Sequence, residues 1–157
     1  MKSLHKVLAI AFTVAGVAVS SYALADGPQK SPEEMAIQYR QDAFHMIKYH
    51  FGPMAAMVKG EKEFNAEEFQ KNAEAVATLS KFPMNGFIAG SDKGGKTEAK
   101  AEIWTNMDDF KKKMETFQVE ATSLAEVAKG GDLAAIKPQF GKVGESCKAC
   151  HKEYKAD

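Results

Sequence analysis

Cysteine is close to absent from this chain: of 157 residues two are cysteine, Cys147 and Cys150, both near the C-terminus. If one cofactor uses both, no disulfide framework remains to hold the fold, and no second site of the same kind can exist. Net charge is also missing. The 21 basic and 21 acidic side chains cancel, which offers nothing to nucleic acid or to an anionic membrane surface. No segment alternates apolar and polar residues over a strand's length, so no β structure is expected. Long apolar runs are limited to one, Val7 to Val19, shorter than the ~20 residues a membrane-spanning helix needs.

That run has the surroundings of an export signal. Lys2 and Lys6 precede it, and Ala23-Leu24-Ala25 follows it as a small-residue cleavage site. A secretory leader over residues 1–25 is therefore expected rather than a retained anchor. Its removal takes two lysines and no acid, leaving residues 26–157 with a formal charge of about −2. A chain of that length forms one domain with a single core. The expected location is the bacterial periplasm, with no membrane contact after cleavage.

The two cysteines stand in Cys147-Lys148-Ala149-Cys150-His151, a C-x-x-C-H box. Two thiols three residues apart on a helical turn can add across the two vinyl groups of a haem, and the next residue then offers an imidazole nitrogen to the iron. This gives a c-type cytochrome with one haem c, bound through Cys147 and Cys150, with His151 as metal ligand. A redox dithiol would need the motif to open a helix after a strand, and a zinc site would need a second ligand pair at a recognisable spacing. Neither context is present.

Proline and glycine divide the rest into four segments of helical periodicity. Ser31, Pro32 and Glu34 open the first with a capping box; its apolar side runs through Ala36, Arg40, Ala43, Phe44, Ile47 and Phe51, and Gly52-Pro53 is expected to kink or break it. Asn65 with Glu68 forms a second box before Phe69, Ala73, Val76 and Leu79. After a glycine-rich loop from Pro83 to Lys96, a third helix spans Ile103 to Ala128 with an apolar stripe at three- and four-residue steps. Asp132 can cap a short turn, and Pro138 is expected to open the last helix, with Phe140, Val143, Cys147, Cys150 and Tyr154 on one side. The fold class is all-α: an antiparallel up-and-down four-helix bundle with covalently bound haem c in its core.

Gly90 to Thr97 matches the phosphate-loop pattern letter for letter. The pattern carries meaning only between a buried strand and a helix of a parallel sheet, and Pro83 to Ile88 is too short and broken for that strand, so a flexible loop is expected. His45 and His50 lie off the Phe44 face of the first helix and read as solvated or rim residues. Met35, Met46, Met54 and Met57 matter because thioether sulfur is the usual sixth ligand of electron-transfer cytochromes. Met46 and Met54 are nevertheless placed for packing rather than for the Phe44 face.

The late attachment box, the stretch Tyr39-Arg40-Gln41-x-Ala43-Phe44, the pair Phe51-Gly52 followed by Val58-Lys59-Gly60, and Glu102-Ile103-Trp104 together resemble the cytochrome c′ family, the class II c-type cytochromes, over residues 31–157. The resemblance implies a five-coordinate, high-spin haem with His151 proximal and Phe44 over the distal face, where the family often has leucine. An aromatic ring there offers no hydrogen bond to water or dioxygen and must swing aside before anything binds. The gases implied are nitric oxide and carbon monoxide. Arg40 and Gln41 match positions that contact the haem, a guanidinium being suited to a propionate, and Glu98 is carried over near the haem edge. Where the family commonly has an arginine four residues after the axial histidine, this chain has Lys155, which keeps the charge without the planar fork. Trp104 reads as packing beside the porphyrin. A homodimer through the first two helices is also implied.

Two functions follow from these residues. One is gas capture at a guarded iron; the other is electron transfer with an unidentified redox partner protein, as in low-spin relatives with a methionine ligand on the first helix. Phe44 at the distal position favours the first. Enzymatic turnover ranks last, since no distal histidine or arginine is positioned to cleave an O–O bond, and no catalytic residue is assigned.

Overall fold

The computed structural model describes residues 29–156, so the leader expected over residues 1–25 lies outside the described residues. The helices are α1 (Pro32–Lys59), α2 (Ala66–Leu79), α3 (Glu102–Thr105), α4 (Met107–Ala128) and α5 (Leu133–Tyr154), with a 3-10 turn at Pro83–Gly86. No strand occurs among the described residues; the one β-type pairing is an isolated bridge between Ala99 and Lys155. α1 packs on α2, α2 on α4 and α4 on α5. The four long helices form the expected antiparallel bundle.

Its core is the apolar stripes brought together. Ile47, Met54, Phe69, Val76, Phe110, Met114, Phe117, Leu124, Ile136 and Val143 are all buried in one cluster. Ser31 and Glu34 form the reciprocal cap of α1. Only half of the second box forms: the Asn65 carboxamide accepts from the Glu68 amide at 2.9 Å, while the Glu68 carboxylate turns to Lys62. Gly60, at φ 78°, closes α1 in the left-handed conformation that suits glycine.

Three boundaries depart from the sequence reading. Gly52-Pro53 does not break α1, which continues to Lys59. A helix-interior proline costs ~3 kcal/mol, but Met54 and Met57 beyond it are 0% and 1% exposed, and each such burial returns about 1.5–3 kcal/mol. The third segment is not one helix. Asn106 interrupts it at φ −124°, ψ 40°, its amide donating back to Glu102 and its carbonyl accepting from Phe110, a junction that suits asparagine's preference for helix ends. Finally, α5 begins at Leu133 rather than Pro138. Asp132 accepts from the Ala134 amide at 2.8 Å, and the fully buried Ile136 anchors the turn that precedes the proline.

Candidate haem site

Cys147 and Cys150 are free, half-buried thiols on the inner side of α5, packed against the core. Burial pushes the Cys147 thiol up and the Cys150 thiol to about 11. Among the described residues no group of three or more His, Cys, Asp or Glu side chains stands together around the pair, as a zinc site requires. His151 follows on the exposed rim of the helix. Burial of part of its ring, and then the charge of Lys155, lower its pKa against the pull of Glu98. A neutral imidazole is the form that can bind iron.

The position of α1 relative to this box follows from one contact. Phe51 and Phe140 stack at 4.5 Å between centroids and 14° between planes, joining α1 to α5 at one end. The two helices run antiparallel, and Phe44 and Cys147 each lie seven residues from the stack, about 10 Å along the axis at 1.5 Å per residue. Phe44 is therefore level with the attachment box. It is half-buried and packed on the core. Arg40 and His151, each eleven residues from the stack, share a level nearer the other end, about 16 Å along.

At that end the loop from Gly86 to Thr97 is wrapped around Arg40. The guanidinium is 2% exposed and donates to Gly86 O, Ser91 Oγ and Ser91 O at 2.8 Å and to Thr97 Oγ1 at 2.9 Å. It also lies 4.7 Å from the Phe87 ring centroid and 5.4 Å from that of Trp104. Gly86 is obligatory here, because a Cβ would fall 2.7 Å from both Ala36 O and Arg40 Cβ. Gln41 donates to Lys96 O at 2.9 Å. Arg40 and Gln41 thus hold the loop that sequence alone offered as a nucleotide-binding decoy. A 3-10 turn rather than a strand precedes it, and Ser91 and Thr97 are spent on Arg40. Trp104 Nε1 donates to Ile88 O at 2.8 Å, so the indole also serves the loop.

Burial lowers the pKa of Arg40, opposed by Asp92. Among the described residues no carboxylate lies within ion-pair distance of it. A buried cation held by neutral acceptors and ring faces, with the field of Asp92 as its only opposing charge, can take a further anion. The two propionates of a haem are anions of the right kind, and with the two thiols and the neutral imidazole this makes a donor set that fits the group.

Glu98 is mostly exposed and receives Lys155 Nζ at 2.9 Å. The backbone continues the contact: Lys100 N donates to Tyr154 O at 3.0 Å and Ala156 N to Glu98 O at 2.7 Å. Nothing in the sequence signals this clasp between the end of α5 and the segment before α3. Tyr154 Oη, on the turn after His151, donates to Asp109 Oδ2 at 2.6 Å, and Lys113 joins Asp109 to Glu153. The other ligand candidates are elsewhere. Met35 and Met46 are 54% and 51% exposed, Met54 and Met57 are sealed in the core, His45 is exposed, and His50 bonds Asn72 at 2.9 Å.

Residues 35–155 match the family model described as Cytochrome C'. A cytochrome c' of Rubrivivax gelatinosus is 42% identical over 120 residues, covering 76% of this chain and 93% of the relative. Among solved structures, cytochrome c prime from Shewanella frigidimarina is 51% identical, with a TM-score of 0.78, covering 82% of this chain and all of that one. A nitric oxide complex of a leucine-to-alanine mutant of cytochrome c prime from Alcaligenes xylosoxidans is 38% identical, with a TM-score of 0.74 over 82% of this chain and 99% of that one.

Proposed function

Because the chain belongs to the cytochrome c′ family, in which haem c is bound covalently, we propose that it is a periplasmic gas-binding cytochrome, exported by residues 1–25 and folded over 26–157. Its haem is attached through Cys147 and Cys150 and has His151 as its one protein ligand. The observation that carries this reading is Phe44, level with the attachment box on the facing helix. Neither a methionine nor a histidine holds that position. The structural likeness to a protein solved with nitric oxide bound supports the same ligand class, nitric oxide or carbon monoxide.

When bound, the haem would supply an iron able to bind a small ligand and to change oxidation state by one electron. The chain does the rest. Cys147 and Cys150 would fix the porphyrin's edge to α5, and His151 on the next position would offer its imidazole to the iron. Phe44 excludes water and gives a polar ligand no hydrogen bond, so a small uncharged diatomic is the least disfavoured occupant. Arg40 offers its buried charge to a propionate while its four bonds keep the loop in place, with Gln41 beside it and Glu98 at the rim. An aromatic ring neither gives nor takes a proton, so no catalytic turnover is part of the reading. Electron transfer with a redox partner protein is a compatible second role.

Met35, Tyr39, Met46 and Tyr49 are 54%, 41%, 51% and 77% exposed and recur at helical spacing along the outside of α1. This stripe supports a homodimer through the first two helices. Optical spectra test the main reading: a high-spin ferric form, and a ferrous form that binds carbon monoxide without displacing a protein ligand, are expected. A low-spin, sulfur-ligated spectrum overturns it.

A further inference from the structure

The cleft beside His151, about 420 Å³, is lined by Gly144, Cys147, Lys148, Lys152, Lys155 and Ala156 as well as the histidine. Three of these are lysines and none is acidic, on a chain whose overall charge is slightly negative once the leader is removed. Lys155 is paired with Glu98. Lys148 and Lys152 have no carboxylate partner among the described residues, and the acids on the Cys150 side, Asp109 and Glu153, are already engaged with Lys113. Two like charges four residues apart on a helix repel by about 0.2–0.5 kcal/mol. The helix dipole offsets this only in the last turn, and Lys148 lies six residues before the end of α5.

We infer that Lys148 and Lys152 form the docking surface for an acidic protein partner that exchanges electrons with the haem past His151. This rests on the haem placement proposed above and adds to it the surface used and the charge of the partner. Glu145, one turn before Lys148, is exposed and makes no ion pair with it, so the field of two unpaired cations acts locally on an approaching anion even though the whole chain is slightly negative.

Anionic ferricyanide and cationic tris(phenanthroline)cobalt(III) stand in for such a partner's charge. Each takes one electron from the ferrous holoprotein, leaving ferric haem and the complex reduced by one unit. Stopped-flow rates would be measured across ionic strength for the wild type, for K148E/K152E, and for K71E/K81E, which makes the same net change on exposed lysines elsewhere. The ferricyanide rate is expected to fall as salt rises, and in K148E/K152E to drop about tenfold at 10 mM salt, where the Debye length is about 30 Å. The cobalt complex should speed up in that variant, and K71E/K81E should change either rate less than twofold. Equal effects of the two double variants, or a wild-type ferricyanide rate that rises with salt, overturn the inference. Salt-sensitive binding of the wild type to phosphatidylglycerol vesicles, lost in K148E/K152E, reassigns the patch to lipid and also overturns it. Carbon monoxide spectra of the same samples report separately on the haem pocket, so failure of the docking surface and failure of the gas-binding reading are distinguishable.

Discussion

Replacing Arg40 tests the end of the bundle that Arg40 shares with the proposed iron ligand. The guanidinium satisfies two backbone carbonyls and two hydroxyls of the Gly86–Thr97 loop, all at 2.8–2.9 Å, from a site that is 2% exposed. A hydrogen bond to a charged group contributes about 1.5–3 kcal/mol. Ser91 Oγ keeps its own bond to Ile88 O and Thr97 Oγ1 its bond from Ala99 N, so the acceptors that lose most are Ser91 O and Gly86 O, the latter keeping only a long 3.5 Å contact from Ser91 Oγ. With the loss of packing on Phe87 and Trp104, Arg40→Ala should cost about 3–5 kcal/mol, a large part of a typical 5–15 kcal/mol total. That corresponds to a fall in melting temperature of roughly 10–15 °C for a domain of this size. Arg40→Lys should fall between, since one ammonium cannot span four acceptors arranged around a planar fork. Urea unfolding of the ferric holoprotein, followed by both Soret absorbance and far-ultraviolet circular dichroism, separates loss of haem from loss of helix. If Arg40→Ala unfolds within 1 kcal/mol of the wild type, the buried cation does not hold the loop.

Phe44→Ala should raise the association rate of carbon monoxide with the ferrous protein about 10- to 100-fold, the equivalent of about 1.5–3 kcal/mol no longer spent displacing a packed ring; stopped-flow mixing reads it. Tyr154→Phe tests the tie to Asp109 through pH. The Tyr154 hydroxyl, chiefly, holds Asp109 below its ordinary range, so that contribution is present above about pH 4 and lost as pH falls through the folded value. Hydrogen bonding to Asp109 pushes Tyr154 itself up to about 12, so its share is complete below pH 10 and lost between there and about 12. The stability gap between wild type and Tyr154→Phe should therefore be flat from pH 5 to 9 and narrow on either side, as urea titrations across pH will show. Met46→Glu puts a charge into the exposed stripe of α1 and should convert a dimer to a monomer at micromolar concentration in sedimentation velocity.

Local chemistry made much of this molecule legible. The Ser31 cap and the stripe from Phe110 to Ala128 each state a structure within a few residues, and each is found. The misjudged boundaries share a cause. At Pro53 and Pro138 a local helix breaker is outweighed by burial of Met54, Met57 and Ile136, whose partners lie on other helices and leave no mark nearby in the sequence. Asn106 errs the other way, because a continuous apolar period hid a residue suited to a helix end. The clasp from Glu98 to Lys100 against Tyr154 to Ala156 pairs segments more than fifty residues apart through backbone atoms, which no side-chain pattern encodes. Arg40 was legible as a buried cation on the core face of α1, but its grip on Ser91 and Thr97 was not, since those residues sit in a loop without periodicity.

Resonance Raman spectroscopy of the ferrous holoprotein tests most directly whether His151 is the sole strong axial ligand opposite Phe44. Five-coordinate high-spin marker bands with an iron–histidine stretching mode are expected, the mode vanishing in His151→Ala. Six-coordinate low-spin bands in the wild type, or an iron–histidine mode that survives removal of His151, would contradict the assignment of both faces of the haem.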